Sequence, residues 1–175
     1  MMNKELQNRL YAVNLILVAV DEKIGSDYRG RIYTKYEKEP RSFNGMGEMI
    51  NLMDAQYDRW NFPQSASINR AFTRRGFQKN AARVHSQQSL IEYADTVPHY
   101  DAIFTEQGKL GSFYVQTRFR QNATWQGDVY WLEGDRWSGF SSALELMKLM
   151  DDASEEKEQK LKSLSLRGFY TLEYA

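Results

Sequence analysis

Cysteine is absent from this chain. That excludes disulfide staples, zinc–thiolate sites and cysteine nucleophiles at once, and it favours a cytoplasmic setting. Histidine is scarce: His85 and His99 are the only two, too few ligands at helical or hairpin spacing for a metal site. No apolar run approaches the ~20 residues of a membrane span. The longest, "AVNLILVAV" at 12–20, lacks the basic flank and small-residue cleavage site of a signal peptide and reads as a buried strand. Glycine spacing offers neither a phosphate loop nor a dinucleotide fingerprint. The neighbouring carboxylates Asp151, Asp152, Glu155, Glu156 and Glu158 read as an exposed acidic helix end, because an acid–base dyad has to be held in a pocket. No catalytic, cofactor-binding or metal-ligating residue is assigned, and the expectation is a protein without enzymatic activity.

Charge is balanced overall, with 23 basic and 23 acidic side chains, but it is unevenly placed. Residues 59–91 carry six basic side chains and no acidic one, between two flanks with more acidic than basic residues. Such a segment is a solvated face or a surface for an anionic partner.

The chain writes one pattern twice. "SFNGMGEMINLMD" at 42–54 returns as "GFSSALELMKLMD" at 139–151, an offset of 97. Without a gap, the same offset aligns Gly30 with Gly127, Tyr33 with Tyr130, Phe43 with Phe140, Glu48 with Glu145, Met53 with Met150 and Asp54 with Asp151. This register predicts a duplicated unit. In the second copy, Phe113, Val115, Thr117 and Phe119 alternate with Tyr114, Gln116, Arg118 and Arg120, the period of a half-buried strand. "QNAT" is turn chemistry, "WQGDVYWLE" the return strand and "GDRWSG" a connector. Ser142, three residues before Glu145, predicts a capping box, and Ala143, Leu146, Met147, Met150 and Ala153 form one helical stripe. The first copy predicts strands at 12–21 and 28–36 and a helix from about 45 to 60. Asp54 and Asp151 lie off the stripes and read as surface residues.

The expected fold class is α+β: two β-β-α units, at 1–64 and 101–175, joined by a basic connector at 65–100. In the middle of the chain, 62–80 reads as irregular and 81–95 as a helix. The N-terminus reads as the start of a short helix. "SLSLRGFYTLEY" at 163–174 alternates and predicts a C-terminal strand.

Three groups are candidates for a partner surface. The basic connector interleaves Arg70, Arg74, Arg75, Lys79 and Arg83 with Phe72 and Phe77, a composition that suits nucleic acid or an arginine-rich protein interface equally. The second hairpin carries Tyr114, Arg118, Arg120 and Trp131. The third is the acidic helix end at Glu155, Glu156 and Glu158.

The run "RFRQNATWQGDVYWLEG", followed by "FSSALELMKLMD", is similar to small proteins carried by Firmicute genomes and their mobile elements, with a QN-x-[ST]-WQG-x-V-x-W-x-E hairpin before a SALEL-x-x-LMD helix. "GRIYTKYEKEP" and "NLMDAQYDRWNFPQ" resemble the N-terminal unit of the longer members. The likeness leaves 65–100 unmatched. Through these elements the chain resembles, among characterised proteins, the anti-CRISPR inhibitors of Cas9. The resemblance implies action by binding alone, with a CRISPR effector such as Cas9 or its guide-RNA complex as partner, and by phosphate mimicry if the acidic helix end competes with nucleic acid for a basic channel. The alternative is an RNA-binding or regulatory protein of a mobile element. No site residue is carried over.

Overall fold

The computed structural model describes residues 10–65, 70–83, 88–121 and 124–172, leaving aside the side chains of 82, 83 and 166–172. The class is α+β. Six antiparallel strands form one sheet in the order β3-β2-β1-β4-β5-β6: β1 (Ile16–Ile24), β2 (Asp27–Thr34), β3 (Arg41–Phe43), β4 (Gly111–Phe119), β5 (Gln126–Trp131) and β6 (Arg136–Phe140). Helices α1 (Met46–Trp60) and α5 (Ala143–Leu172) follow β3 and β6. Between the two halves lie α2 (Arg74–Arg83), the single turns α3 (Leu90–Tyr93) and α4 (Ala102–Thr105), and a 3-10 turn at Ala94–Thr96.

The helix face holds the larger core. Ile16, Val18 and Val20 of β1 meet Met49, Met53 and Tyr57 of α1 and Leu146 and Met150 of α5 in one buried cluster. The opposite face carries Leu17, Tyr33, Tyr114 and Tyr130, covered by Leu10, Leu15 and Ile103. Consecutive residues of β1 from Ile16 to Val20 are wholly buried, because side chains alternate between two faces that are both covered.

The strand ladders keep the 97-residue offset. Ile32 lies opposite Val18 and Val129 opposite Val115. Gly30 lies opposite Phe43 and Gly127 opposite Phe140. A Cβ at Gly30 would sit 2.6 Å from the Phe43 ring, and one at Gly127 2.9 Å from the Phe140 ring, so the recurring glycine makes room for the recurring phenylalanine. At the centre of the sheet Leu17 is paired with Tyr114, its own counterpart at that offset. The ladders therefore have an approximate two-fold arrangement about this pair.

Both helices start alike. The Glu145 carboxylate accepts from the Ser141 N–H at 2.7 Å, and the Glu48 carboxylate accepts from the Asn44 N–H at 2.7 Å. Ser142 Oγ accepts from the Glu145 N–H at 3.0 Å, satisfying one of the orphan donors of the first turn. Gly45 stands where Ser142 does and has no side-chain cap. There Asp27 of the hairpin reaches over and accepts from the Met46 N–H at 2.8 Å.

Four expectations are corrected. "GDRWSG" contributes to a third strand rather than a connector: Trp137 packs on Tyr130 with ring centroids 4.9 Å apart, and Phe140 is buried. Each half is thus β-β-β-α. The segment at 62–80 is not wholly irregular, since α2 begins at Arg74, where Thr73 Oγ1 accepts from the Gly76 N–H at 3.0 Å. The helix expected at 81–95 is reduced to the end of α2, the turn α3 and the 3-10 turn; 84–87, with His85, lie outside the described residues. Among the described residues the C-terminal strand is absent, because α5 runs on through Leu172. Extending a formed helix adds one hydrogen bond per residue without a new nucleus, and Glu158–Lys162 at 2.7 Å, like Glu156–Lys160, supports it at i,i+4 spacing. The expected N-terminal helix falls largely on residues outside the description.

Candidate functional site

The strands β1 and β4 each contain a bulge, between Val20 and Glu22 and between Thr117 and Phe119, again 97 residues apart. A bulge adds one residue and reverses which face the following side chains take. It turns Phe119 outward, where it is half exposed, and drives Arg120 into the helix face, where only 4% of the residue is accessible.

The buried guanidinium is clasped from the other half of the chain. Arg120 Nη1 donates to Asp54 Oδ1 at 2.7 Å and to Asp58 Oδ1 at 2.8 Å, Nε donates to the Pro63 carbonyl at 2.8 Å, and the group lies over the Tyr57 ring at 5.5 Å. The reciprocal clasp stands at the matching positions. Lys23 pairs with Glu155 at 2.7 Å, and Tyr28 Oη donates to Asp151 Oδ1 at 2.7 Å. Burial, with Asp151 second, pushes the Tyr28 phenol up to about 12, and the Glu155 hydrogen bond holds the Lys23 ammonium well above the ordinary lysine value. At the bulges themselves Asp21 takes Arg31 in two hydrogen bonds at 2.8 and 3.0 Å, while Arg118 pairs with Asp128 with the charges exchanged. Asp54 and Asp151 are thus the residues that tie each helix to the other unit, a role sequence reasoning missed because the bulge hides in an unbroken alternation.

Arg120, one of the candidates for a partner surface, is therefore buried and held within the fold. Trp131 lies opposite Phe113 on the helix face and packs against the core, whereas Tyr114 is buried on the other face, so the second hairpin offers no single surface built from these residues. Arg118 is exposed but ion-paired. The acidic helix end is partnered too. Glu155 holds Lys23, Glu156 holds Lys160 and Glu158 holds Lys162, and hydrogen bonds from the latter two lysines hold the Glu156 and Glu158 carboxyls below their usual value.

The basic segment differs. Arg70, Arg74, Arg75 and Lys79 are exposed, and none forms an ion pair within the described residues. Phe72 is fully exposed and Phe77 half exposed. The side chain of Arg83 falls outside the description. Arg74 and Arg75 sit in the first turn of α2, which has no acidic residue. Positive side chains at the positive end of a helix dipole lower its stability and leave a concentrated field for an anion. Before this segment Ser65 is bridged to Arg120, and after it Leu90 is wholly buried. Beside these two anchors a cavity of about 350 Å³ opens between Phe62, Pro63, Ile91, Arg118 and Phe119. A second, of about 210 Å³, lies over the Arg120 clasp, lined by Asn51, Asp54, Asp58, Thr124 and Trp125.

No protein-family model, curated protein or solved structure matches this chain. Among the described residues no group of histidine and carboxylate side chains is placed to hold a metal ion. His99 has a local partner, its Nε2 lying 2.9 Å from the Ala94 carbonyl and its ring edge-on to Tyr36. Among the described residues, no helix is long and apolar enough to cross a membrane.

Proposed function

We propose that the protein acts by binding and not by catalysis, and that its working face is the basic aromatic segment from Arg70 to Lys79. The observation that supports this is the contrast in pairing. The clustered carboxylates of the acidic helix end hold lysines, whereas the four cations of this segment stand exposed and unspent beside two exposed phenylalanines. Such a surface attracts phosphate or carboxylate and offers rings for stacking. At the finer level the partner is a CRISPR effector such as Cas9, loaded with its guide RNA and met in the cytoplasm, and binding blocks nucleic-acid engagement or cleavage. The resemblance to proteins of mobile elements supports that choice. A common origin of the two units is a proposal on the same footing, supported by the shared ladder register and the reciprocal clasps.

The test is a pull-down of Cas9 with and without guide RNA, followed by a DNA-cleavage assay. Retention of the effector together with loss of cleavage is the expected result. Absence of both removes the effector from consideration. The exposed Phe72 and Phe77 favour one second reading, an RNA-binding regulator of a mobile element. In that case short single-stranded RNA binds unaided, and its affinity falls with salt at a log–log slope of about 0.7 per phosphate contact.

A further inference from the structure

The cavity of about 350 Å³ at the end of β4 takes its walls from three places in the chain. Phe62 and Gln64 precede the basic segment, Ile91 follows it, and Phe119 ends β4. Its volume lies at the small end of the ~300–1,000 Å³ range of ligand pockets, which suits a single ring system. It is open to solvent, because Gln64, Ile91, Phe119 and Gln121 on its wall are all exposed. Phe119 is 51% accessible and Ile91 60%, so the cavity presents apolar surface that the fold leaves uncovered. The bulge in β4 is what brings the Phe119 ring to this side.

Two polar groups complete the wall. The side-chain amides of Gln64 and Gln121 have no hydrogen-bond partner among the described residues. Each amide offers a donor and an acceptor, which is what the edge of an unpaired base requires. An apolar side chain from a protein would leave both amides to water. The charge around the cavity favours an anionic strand. Arg118 borders it, and residues 59–91 contain no acidic side chain. We propose that this cavity receives one unpaired base of a single-stranded RNA whose phosphates lie on Arg70, Arg74, Arg75 and Lys79. The inference rests on the binding role given above to the basic segment, and it deepens that role. Phosphate contacts position a strand, whereas contacts to a base discriminate. The base stacks on Phe119 and turns its edge to Gln64 and Gln121.

The probe is a short single-stranded RNA carrying one 2-aminopurine, titrated with the full-length protein at low salt. Binding is expected to quench the probe as its base stacks. Phe119→Ala, at a half-exposed position, should weaken binding about ten-fold or more, the scale of one lost base stack. It should leave the salt slope unchanged, since no phosphate contact is removed. Gln64→Leu combined with Gln121→Leu keeps the apolar walls and should weaken binding several-fold; it carries the test should Phe119→Ala lower Tm. Arg74→Ala with Arg75→Ala should flatten the salt slope instead. The same strand without its bases should bind the unmodified protein and Phe119→Ala equally. Equal RNA affinity for the unmodified protein and both cavity variants overturns the proposal and leaves the role of the basic segment standing. RNA that does not bind at low salt also overturns it. Reduced Cas9 retention by Phe119→Ala with RNA affinity unchanged overturns it too, and gives the cavity to an apolar side chain of a protein partner. A failed Cas9 pull-down alongside the expected RNA results removes the effector and keeps the base site.

Discussion

Replacing Arg120 by Met is expected to destabilise the protein by about 3–5 kcal/mol, because removing one partner of a buried ion pair leaves the Asp54 charge uncompensated. In a chain of this size that lowers Tm by roughly 10 °C. The guanidinium is almost wholly buried and satisfies Asp54, Asp58 and the Pro63 carbonyl together. Its counterpart Lys23 holds Glu155 near the surface, where ion pairs are screened by water, so Lys23→Met should have a much smaller effect. Combining Arg120→Met with Asp54→Asn and Asp58→Asn should restore much of the loss, since no carboxylate is then stranded. Thermal and urea unfolding of the set decides the matter. Equal losses for Arg120→Met and Lys23→Met would show that burial does not distinguish the clasps.

Reversing the basic segment, with Arg70, Arg74, Arg75 and Lys79 changed to Glu, should abolish partner binding and leave Tm unchanged or slightly higher. Glutamates at positions 74 and 75 would suit the helix N-terminus better than arginines do, and exposed charges contribute little to folding. The loss of affinity should exceed about 100-fold at physiological salt if several phosphates are contacted. Reversing Glu155, Glu156 and Glu158 to Lys should leave binding in place. Binding that survives the first reversal and fails after the second would move the working face to α5 and restore phosphate mimicry as the mechanism.

What the sequence revealed follows from which physics is local. The offset of 97 residues, the stripe of α1, the capping glutamates and the buried Phe43 and Phe140 depend on nearest turns and side-chain period, and they could be read directly. The bulges could not. Phe113, Val115, Thr117 and Phe119 continue a perfect alternation on paper, and only the pairing with β5 shows that one residue is extra. That single insertion decides that Arg120 is core and Phe119 is surface. The stretch at 163–174 carried a period of two, but the helix preceding it set the state of 163–172. The short strands β3 and β6 owe their existence to a neighbour already in place, a contribution no window of sequence contains. The basic segment was legible as charge; its exposure and its freedom from ion pairs were not.

The pairing of β1 with β4 has a consequence for any half of this molecule made alone. A fragment of residues 1–64 would carry β1 at the edge of its sheet, with Ile16 to Val20 bare along the side that β4 now covers. An open apolar edge recruits another strand. The register about Leu17 and Tyr114 lets a second copy take the place of β4, antiparallel, with Leu17 against Leu17 across a two-fold axis. Light scattering should find that fragment as a dimer or larger, and a monodisperse monomer would rule this edge out as sticky. The long connector would then act as a tether, holding two self-complementary edges so close that each meets its own chain before it meets a stranger's.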